Sequence, residues 1–335
     1  MSEKIISIAL DAMGGDFAPQ NEVAGAIEAL KVESDFNIIL VGNSKLLENE
    51  LLNYQYDKTR ISVVNSTEVI TMKDSPTKAV KEKVNSSLVI ASKMVHSKEA
   101  TALVSAGNTG AVTISSILNI GRIKGVNRPT IAAPIPNEKG SHTRLSDAGA
   151  FVDSKAEHLF QFAKLTTVYL ETVFNKKNPT VGLLNVGEEE SKGYQLTLDT
   201  RELLENSNLN FIGNVEGKDI MKGKANIVVC DGFVGNIVLK FAESILPFLK
   251  TKLKDYASTG LVPKIQIGLA KSGLSKSLKV ADPNLYGGVP LLGINGITII
   301  GHGSSSPIGI KNMILEAVNS SKVNLVEKLS EVLNK

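Results

Sequence analysis

Tryptophan is absent from the 335 residues, and tyrosine and phenylalanine together supply only 5%. Branched aliphatic side chains must therefore fill the core, as in a parallel sheet covered on both faces. Cysteine is nearly absent as well. Cys230 stands alone, which excludes an intramolecular disulfide and argues against a cysteine zinc site. Charge is sparse, at 21% of residues against 42% hydrophobic, so the chain can bury a large core and global disorder is excluded. The formal net charge of +3 says little by itself. Basic residues do not interleave with aromatics, so no nucleic-acid surface is expected. No uncharged apolar run reaches the roughly 18 residues that suggest a membrane span. The opening Met1-Ser-Glu-Lys4 leads directly into a strand-like run, so no secretory signal is expected and the cytoplasm is the expected location.

What is present is alternation. Ile5–Leu10, Asn37–Val41, Ile61–Val64, Ala102–Val104, Thr180–Leu184, Asn226–Val229 and Ile297–Ile300 read as short apolar strands. Between them, Asn21–Lys31, Thr77–Val95, Ala156–Phe174, Tyr194–Glu205 and Pro307–Leu333 carry helical periodicity. That order predicts parallel βαβ units in a three-layer α/β/α sandwich with a mostly parallel sheet. With no long linker, internal repeat or low-complexity tract, one α/β domain is expected over residues 1–335.

Four strands run into loops of one kind. They are Asp11-Ala-Met-Gly-Gly-Asp16, Ser105-Ala-Gly-Asn-Thr-Gly110, Asp231-Gly-Phe-Val-Gly-Asn236 and Gly301-His-Gly-Ser-Ser-Ser306. Ligands of such sheets bind beyond the carboxyl ends of the strands. Gly14, Gly15, Gly107, Gly110, Gly232 and Gly303 would let backbone N–H groups approach an anion closely. Ser105, Asn108, Thr109, Asn236, His302 and Ser304 would add side-chain hydrogen bonds. None of these loops is a Walker A motif or a clean G-x-G-x-x-G. Singly, each serves equally well as a tight turn or helix cap. Four at strand ends, expected in one sheet, point to phosphate or diphosphate. Asp11, Asp16 and Asp231 fit less simply, because carboxylates repel phosphate.

A fifth loop, Asn185-Val-Gly-Glu-Glu-Glu-Ser-Lys-Gly193, follows a strand and includes Gly187 and Lys192. A lysine here could neutralise phosphate and stabilise an oxyanion. Taken alone, the loop reads better as a solvated turn with Glu188–Glu190 facing water. Cys230 closes a buried strand and reads as a small core residue. His302 lies in a glycine loop, which favours a role in a site, whereas His96, His142 and His158 show no metal-ligand spacing.

These blocks together carry a resemblance. Asp11–Asp16 with Ala18-Pro19, Ser105–Ala111, Gly121-Arg-Ile-Lys-Gly125 with Arg128-Pro129, Asn185–Gly193, Phe211–Glu216, Asp231–Asn236 and His302-Gly-Ser304 closely resemble the PlsX family of phosphate acyltransferases. The likeness runs through nearly the whole chain in the same order. It implies a fold similar to phosphotransacetylase and the isocitrate and isopropylmalate dehydrogenases. It also implies transfer of a long-chain acyl group from acyl carrier protein to inorganic phosphate, giving acyl phosphate for phospholipid synthesis, without a cofactor or metal. The resemblance makes Lys192 the first choice for a catalytic residue and Asn185 its companion, with the remaining loop residues on phosphate or substrate. It further implies a homodimer in peripheral contact with membrane and with the downstream glycerol-3-phosphate acyltransferase. One position departs from the pattern. The family reads Asp-x-Gly-Ala-Asn-x-Asp, and this chain has Phe151 in Asp147-Ala-Gly-Ala-Phe-Val-Asp153, which puts any polar contact there in doubt.

A basic amphipathic hairpin is expected around residues 237–280. Ile237, Phe241, Ile245, Phe248, Leu249 and Leu253 form one apolar stripe, interrupted by Pro247, which is expected to kink or end the helix. Leu261, Val262, Ile265 and Leu269 form a second. Asp255 is the only acid among seven lysines between 250 and 279. The pattern suits an anionic bilayer, the acidic surface of acyl carrier protein, or a dimer interface with a wet rim.

Overall fold

The computed structural model describes residues 5–333. Twelve strands are present among them: β1 (Ile6–Asp11), β2 (Phe36–Gly42), β3 (Ile61–Asn65), β4 (Ala102–Ser105), β5 (Thr130–Ile131), β6 (Ala133–Pro136), β7 (His142–Ser146), β8 (Thr180–Leu184), β9 (Asn210–Val215), β10 (Ile227–Val229), β11 (Val289–Leu292) and β12 (Ile297–Ile300). They form two sheets, not the single sheet expected. Periodicity locates a strand but does not say which neighbour its edge will find. The chain accordingly separates into two compact units, one of Met1–Ala132, Phe160–Pro179 and Pro283–Lys335, the other of Ala133–Leu159 and Thr180–Asp282.

The first unit holds seven strands in the order β3-β2-β1-β4-β12-β11-β5. The first five run parallel, and β11 lies antiparallel to both β12 and β5. Ile8, Leu10, Ile38, Leu40, Val104 and Ile299 are buried from the sheet, against Val23, Ile27, Ile310 and Ile314 of the Gln20–Leu30 and Pro307–Lys322 helices. Each such aliphatic contributes about 1.5–3 kcal/mol on full burial. Register is the consequence that matters for chemistry. Asp11 at the end of β1 stands opposite Ser105 at the end of β4, and Ser105 opposite Ile300 at the end of β12. The three loops that follow therefore leave the sheet side by side.

The second unit holds five strands in the order β6-β7-β10-β8-β9, all parallel except β6. Its ends are also in step, since Val229 of β10 pairs with Ser146 of β7 and Leu183 of β8. The turn from Asp147, the helix from Gly232 and the loop from Asn185 thus begin at one level. The long arms of this unit are the helices Gly232–Ser258 and Leu261–Ser277.

Several elements differ from the sequence reading for local reasons. The Thr77–Val95 pattern is two helices, Pro76–Glu82 and Ser87–His96, because Ser86 is extended. The last pattern breaks into Pro307–Lys322 and Leu325–Leu333 at Asn324, which sits at φ 52°. Pro247 does not end its helix. It removes one N–H from the ladder, and the Thr251 hydroxyl donates to the Pro247 carbonyl at 3.0 Å. Among the described residues this helix is the one long and apolar enough, by length and composition, to cross a membrane, with mean hydropathy 1.4 over its most apolar window. It is not an uncharged run, for it carries Lys240 and Glu243 in its first half and Lys250, Lys252, Lys254 and Asp255 in its second.

Candidate active site

In the first unit, the Asp11 carboxylate turns inward at the end of β1. It accepts from the Ser87 hydroxyl at 2.6 Å and the Ser105 hydroxyl at 2.7 Å, and is fully buried. Burial pushes its pKa upward, and the two serines oppose that shift. Ser105 also accepts from the Gly107 N–H at 3.1 Å. Asp11 and Ser105 therefore tie the 11–16 and 105–110 loops into one assembly. Gly14 explains why no side chain is tolerated between them, because a Cβ there would lie 2.5 Å from Asp11 Oδ2 and 3.0 Å from the Gly107 nitrogen. The third loop joins through the Asp16 N–H, which donates to the Gly303 carbonyl at 2.8 Å. Three of the four glycine loops thus meet in one place.

Side chains within this assembly divide into two sets. Asn108 is spent on the chain: its oxygen caps the helix Thr109–Ser115 by accepting from the Ala111 N–H at 3.1 Å, and its amide faces the carbonyls of Met72 and Asp74. Gly110 packs beside Pro76. Asp16, Thr109, His302 and Ser304 remain exposed. The Ser304 N–H donates to His302 Nδ1 at 3.2 Å, which leaves the ring N–H at Nε2 to donate outward.

Glu22 was not marked by the sequence reading. It stands in the first turn of the Gln20–Leu30 helix, buried directly beneath Gly15, whose missing Cβ would otherwise strike Glu22 Oε1. An acid in a first turn ordinarily signals only a favourable interaction with the helix dipole, so nothing local distinguishes this one.

In the second unit, Asp231 caps the Gly232–Ser258 helix, its Oδ1 accepting from the N–H groups of Phe233 and Val234 at 3.0 Å each. Its Oδ2 accepts from the Tyr194 hydroxyl at 3.0 Å. Burial, then this bond, push the Tyr194 pKa up to about 12. The helix start rests on the Asp147–Phe151 turn, where a Cβ at Gly232 would collide with the Phe151 carbonyl. That turn is closed by Asp147, which accepts from the N–H groups of Ala150 and Phe151 at 3.2 and 2.9 Å. Asn236 packs against Gly149.

The Asn185–Gly193 loop is held from three sides. Asn185 accepts from the Val186 N–H and donates to the Lys192 carbonyl, both at 2.8 Å, and Asn214 of β9 donates to the Glu189 carbonyl at 2.9 Å. Asn185 therefore shapes the loop with both of its polar atoms. Gly187 lets the chain pass close to the Lys192 stem. Two of the three acids are drawn elsewhere, Glu188 to Lys224 at 2.7 Å and Glu190 to Arg201 at 2.9 Å, while Glu189 Oε2 lies beside Gly187. Lys192 is exposed, and among the described residues its ammonium has no ion-pair partner.

Cys230 is buried, and its thiol pKa is pushed well up by burial and by Asp147 and Asp231, so it is not a nucleophile at neutral pH. Among the described residues, no group of His, Cys, Asp and Glu could hold a metal ion.

Over residues 6–328 the chain matches a family described as "Fatty acid synthesis protein". A phosphate acyltransferase of Dictyoglomus thermophilum is 47% identical over 331 residues, covering 98% of each chain. One from Clostridioides difficile is 40% identical over 330 residues, 98% of this chain and 97% of that one. Among solved structures, a phosphotransacetylase from Streptococcus pyogenes matches with a TM-score of 0.65 at 17% identity, over 96% of this chain and 95% of that one. A 4-hydroxythreonine-4-phosphate dehydrogenase from Klebsiella pneumoniae matches with a TM-score of 0.55 at 12% identity, over 95% and 100%. These structural matches establish the three-layer α/β class.

Proposed function

The chain belongs to the fatty acid synthesis protein family of phosphate acyltransferases, and on that premise we propose how it moves a long-chain acyl group from acyl carrier protein to inorganic phosphate. Phosphate is itself the nucleophile, so neither a Ser-His-Asp nor a Cys-His arrangement is required. A phosphate oxygen attacks the thioester carbonyl, and a tetrahedral oxyanion forms. Its collapse breaks the carbon–sulfur bond and releases the carrier thiolate, leaving acyl phosphate. The protein must position the two reactants and stabilise negative charge.

The observation that supports placing phosphate in the first unit is the common register of Asp11, Ser105 and Ile300, which brings three glycine loops together. Backbone N–H groups of these loops, with Thr109 and the outward N–H of His302, form the donor set, the Ser304 hydroxyl being engaged with His302 Nδ1 at 2.8 Å. Asp11 serves by orienting the loops, and Asp16 by holding Gly303. In the second unit Lys192, on the loop shaped by Asn185, is the cation proposed to stabilise negative charge. Acyl phosphate release from acyl carrier protein, measured as phosphate-dependent appearance of carrier thiol, tests the assignment.

The Phe151 position yields a specific expectation. Its N–H bond to Asp147 belongs to the backbone and survives substitution. Phe151→Asn should therefore preserve the turn and lower the KM for phosphate or for acyl phosphate in the reverse reaction. Unchanged values for both would show that the position only packs.

We also propose that the hairpin of Gly232–Ser258 and Leu261–Ser277 is where the protein meets an anionic membrane and its partners. Phe241, Phe248, Leu261, Val262 and Leu269 are all exposed upon it, among the lysines already named. So much exposed apolar surface marks an interaction face. The same arms suit a homodimer, and a hairpin can serve both. A membrane-docked enzyme would pass its poorly soluble product directly to the downstream glycerol-3-phosphate acyltransferase. In vesicle co-sedimentation, binding should require anionic lipid, weaken with salt and be lost in Leu253→Glu. Equal recovery in the supernatant under all conditions would leave the hairpin as a protein interface.

A further inference from the structure

Glu22 is a carboxyl group that the proposed chemistry does not use, and its surroundings are unusual. It is 1% exposed, its Oε1 lies directly against Gly15, and its Oε2 is buried with no hydrogen-bond partner among the described residues. An ionised carboxylate would leave that oxygen bare in a medium that penalises it. Two further carboxylates belong to the same loop, Asp11 at one end and Asp16 at the other, and both oppose ionisation of Glu22. Other titratable groups stand on the elements packed around it. His302 is on the neighbouring loop, and Lys311, Glu316 and Lys322 are on the Pro307–Lys322 helix. Glu316 is bonded to Tyr169, and Lys322 to Glu33 and Asp35. Burial first, then Asp11 and Asp16, push the Glu22 pKa up to about 7.

A loop that takes an anion between carboxylates has a difficulty that a neutral Glu22 would relieve. We propose that Glu22, in its uncharged form, is a positioning residue that holds the Gly14–Gly15 turn ready for phosphate, and that its ionisation weakens anion binding there. The inference rests on the reading of these loops as the phosphate site. Neutral, Glu22 still packs beneath Gly15 and adds no charge. Ionised, it places another negative charge directly beneath a turn that must receive one. By linkage, an anion that binds best above neutral Glu22 must also raise the pH at which Glu22 ionises.

Sulfate tests this, because unlike phosphate it keeps one charge across the range. Its inhibition constant against phosphate should rise about tenfold between pH 6 and pH 8.5 in the unaltered protein, as one added charge at this distance requires. Glu22→Gln should bind sulfate tightly and evenly across that range, since the amide fills the same space beneath Gly15 and cannot ionise. The comparison also separates Glu22 from the other groups of the loops, which the variant leaves in place. A second measurement does not depend on the variant folding. In protein labelled with carbon-13 at the glutamate carboxyls, the infrared band of a protonated glutamate should vanish near pH 7, and near pH 8 with saturating sulfate. Identical sulfate profiles in both proteins, or a band unmoved by sulfate, would overturn the role of Glu22 and leave the loop reading standing. Absence of any saturable sulfate or phosphate binding would instead remove the phosphate site itself.

Discussion

Lys192→Ala is expected to lower kcat/KM at least a hundredfold, about 2.7 kcal/mol of transition-state stabilisation, the scale for losing one oxyanion donor. The loop argues for so large an effect. Its backbone is fixed by Asn185, Asn214 and the Lys192 N–H bond to the Glu189 carbonyl, so the lysine stem starts from a set position. Glu188 and Glu190 are engaged with Lys224 and Arg201, and the Lys192 ammonium has no ion-pair partner among the described residues. The substitution removes an exposed side chain without touching the core, so folding should be unaffected. Steady-state kinetics on both substrates, with circular dichroism as the folding control, measures the effect. Turnover near that of the unaltered enzyme would make Lys192 a solvated turn residue.

The second large effect is on stability. Glu22 has its folded pKa raised from 4.5 to about 7. Below about pH 4.5 the group is protonated in folded and unfolded chains alike, and no penalty exists. As pH rises toward 7 the folded state holds a proton that the unfolded chain has released, so stability falls. Above 7 the full penalty is present, of order 3 kcal/mol. Glu22→Gln cannot ionise and escapes it. The variant should match the unaltered protein near pH 4.5 and exceed it by up to about 3 kcal/mol at pH 8, several degrees in Tm. Asp11, shifted the same way, remains in both proteins and cancels in the difference. Thermal unfolding at pH 5 and pH 8 gives the comparison, and a pH-independent difference would mean that Glu22 ionises at the same pH in the folded and unfolded chains.

How much of this was legible in the residues follows from the range of each interaction. The glycine loops are visible because a strand's period stops where they begin, and the alternation of strands and helices carries the α/β class. The division into two sheets is not visible, because β5, β6 and β10 are only two to four residues long and say nothing about their neighbours. In the sequence Asp11 is ambiguous, between a substrate contact and a group that orients lysine, backbone or the carrier arm. Its partners Ser87 and Ser105 lie 76 and 94 residues away, and only folding shows that it faces inward. Asn185 and Asn108 were expected to offer their amides to substrate, and local geometry engages both with the chain. Lys192 was readable only through resemblance, since the engagement of Glu188 and Glu190 depends on Lys224 and Arg201, which the loop itself does not contain. Glu22 gave no local signal, because its burial is imposed by a helix and two loops from distant parts of the chain.

The most direct test of the whole account is a single assay. Purified protein is incubated with long-chain acyl-[acyl carrier protein] and phosphate, and both free carrier thiol and acyl phosphate are quantified. The account predicts that thiol and acyl phosphate appear in equal amounts, that the rate saturates with phosphate, and that it falls to background when phosphate is omitted. Thiol released at the same rate without phosphate, or no acyl phosphate at saturating phosphate, would contradict it.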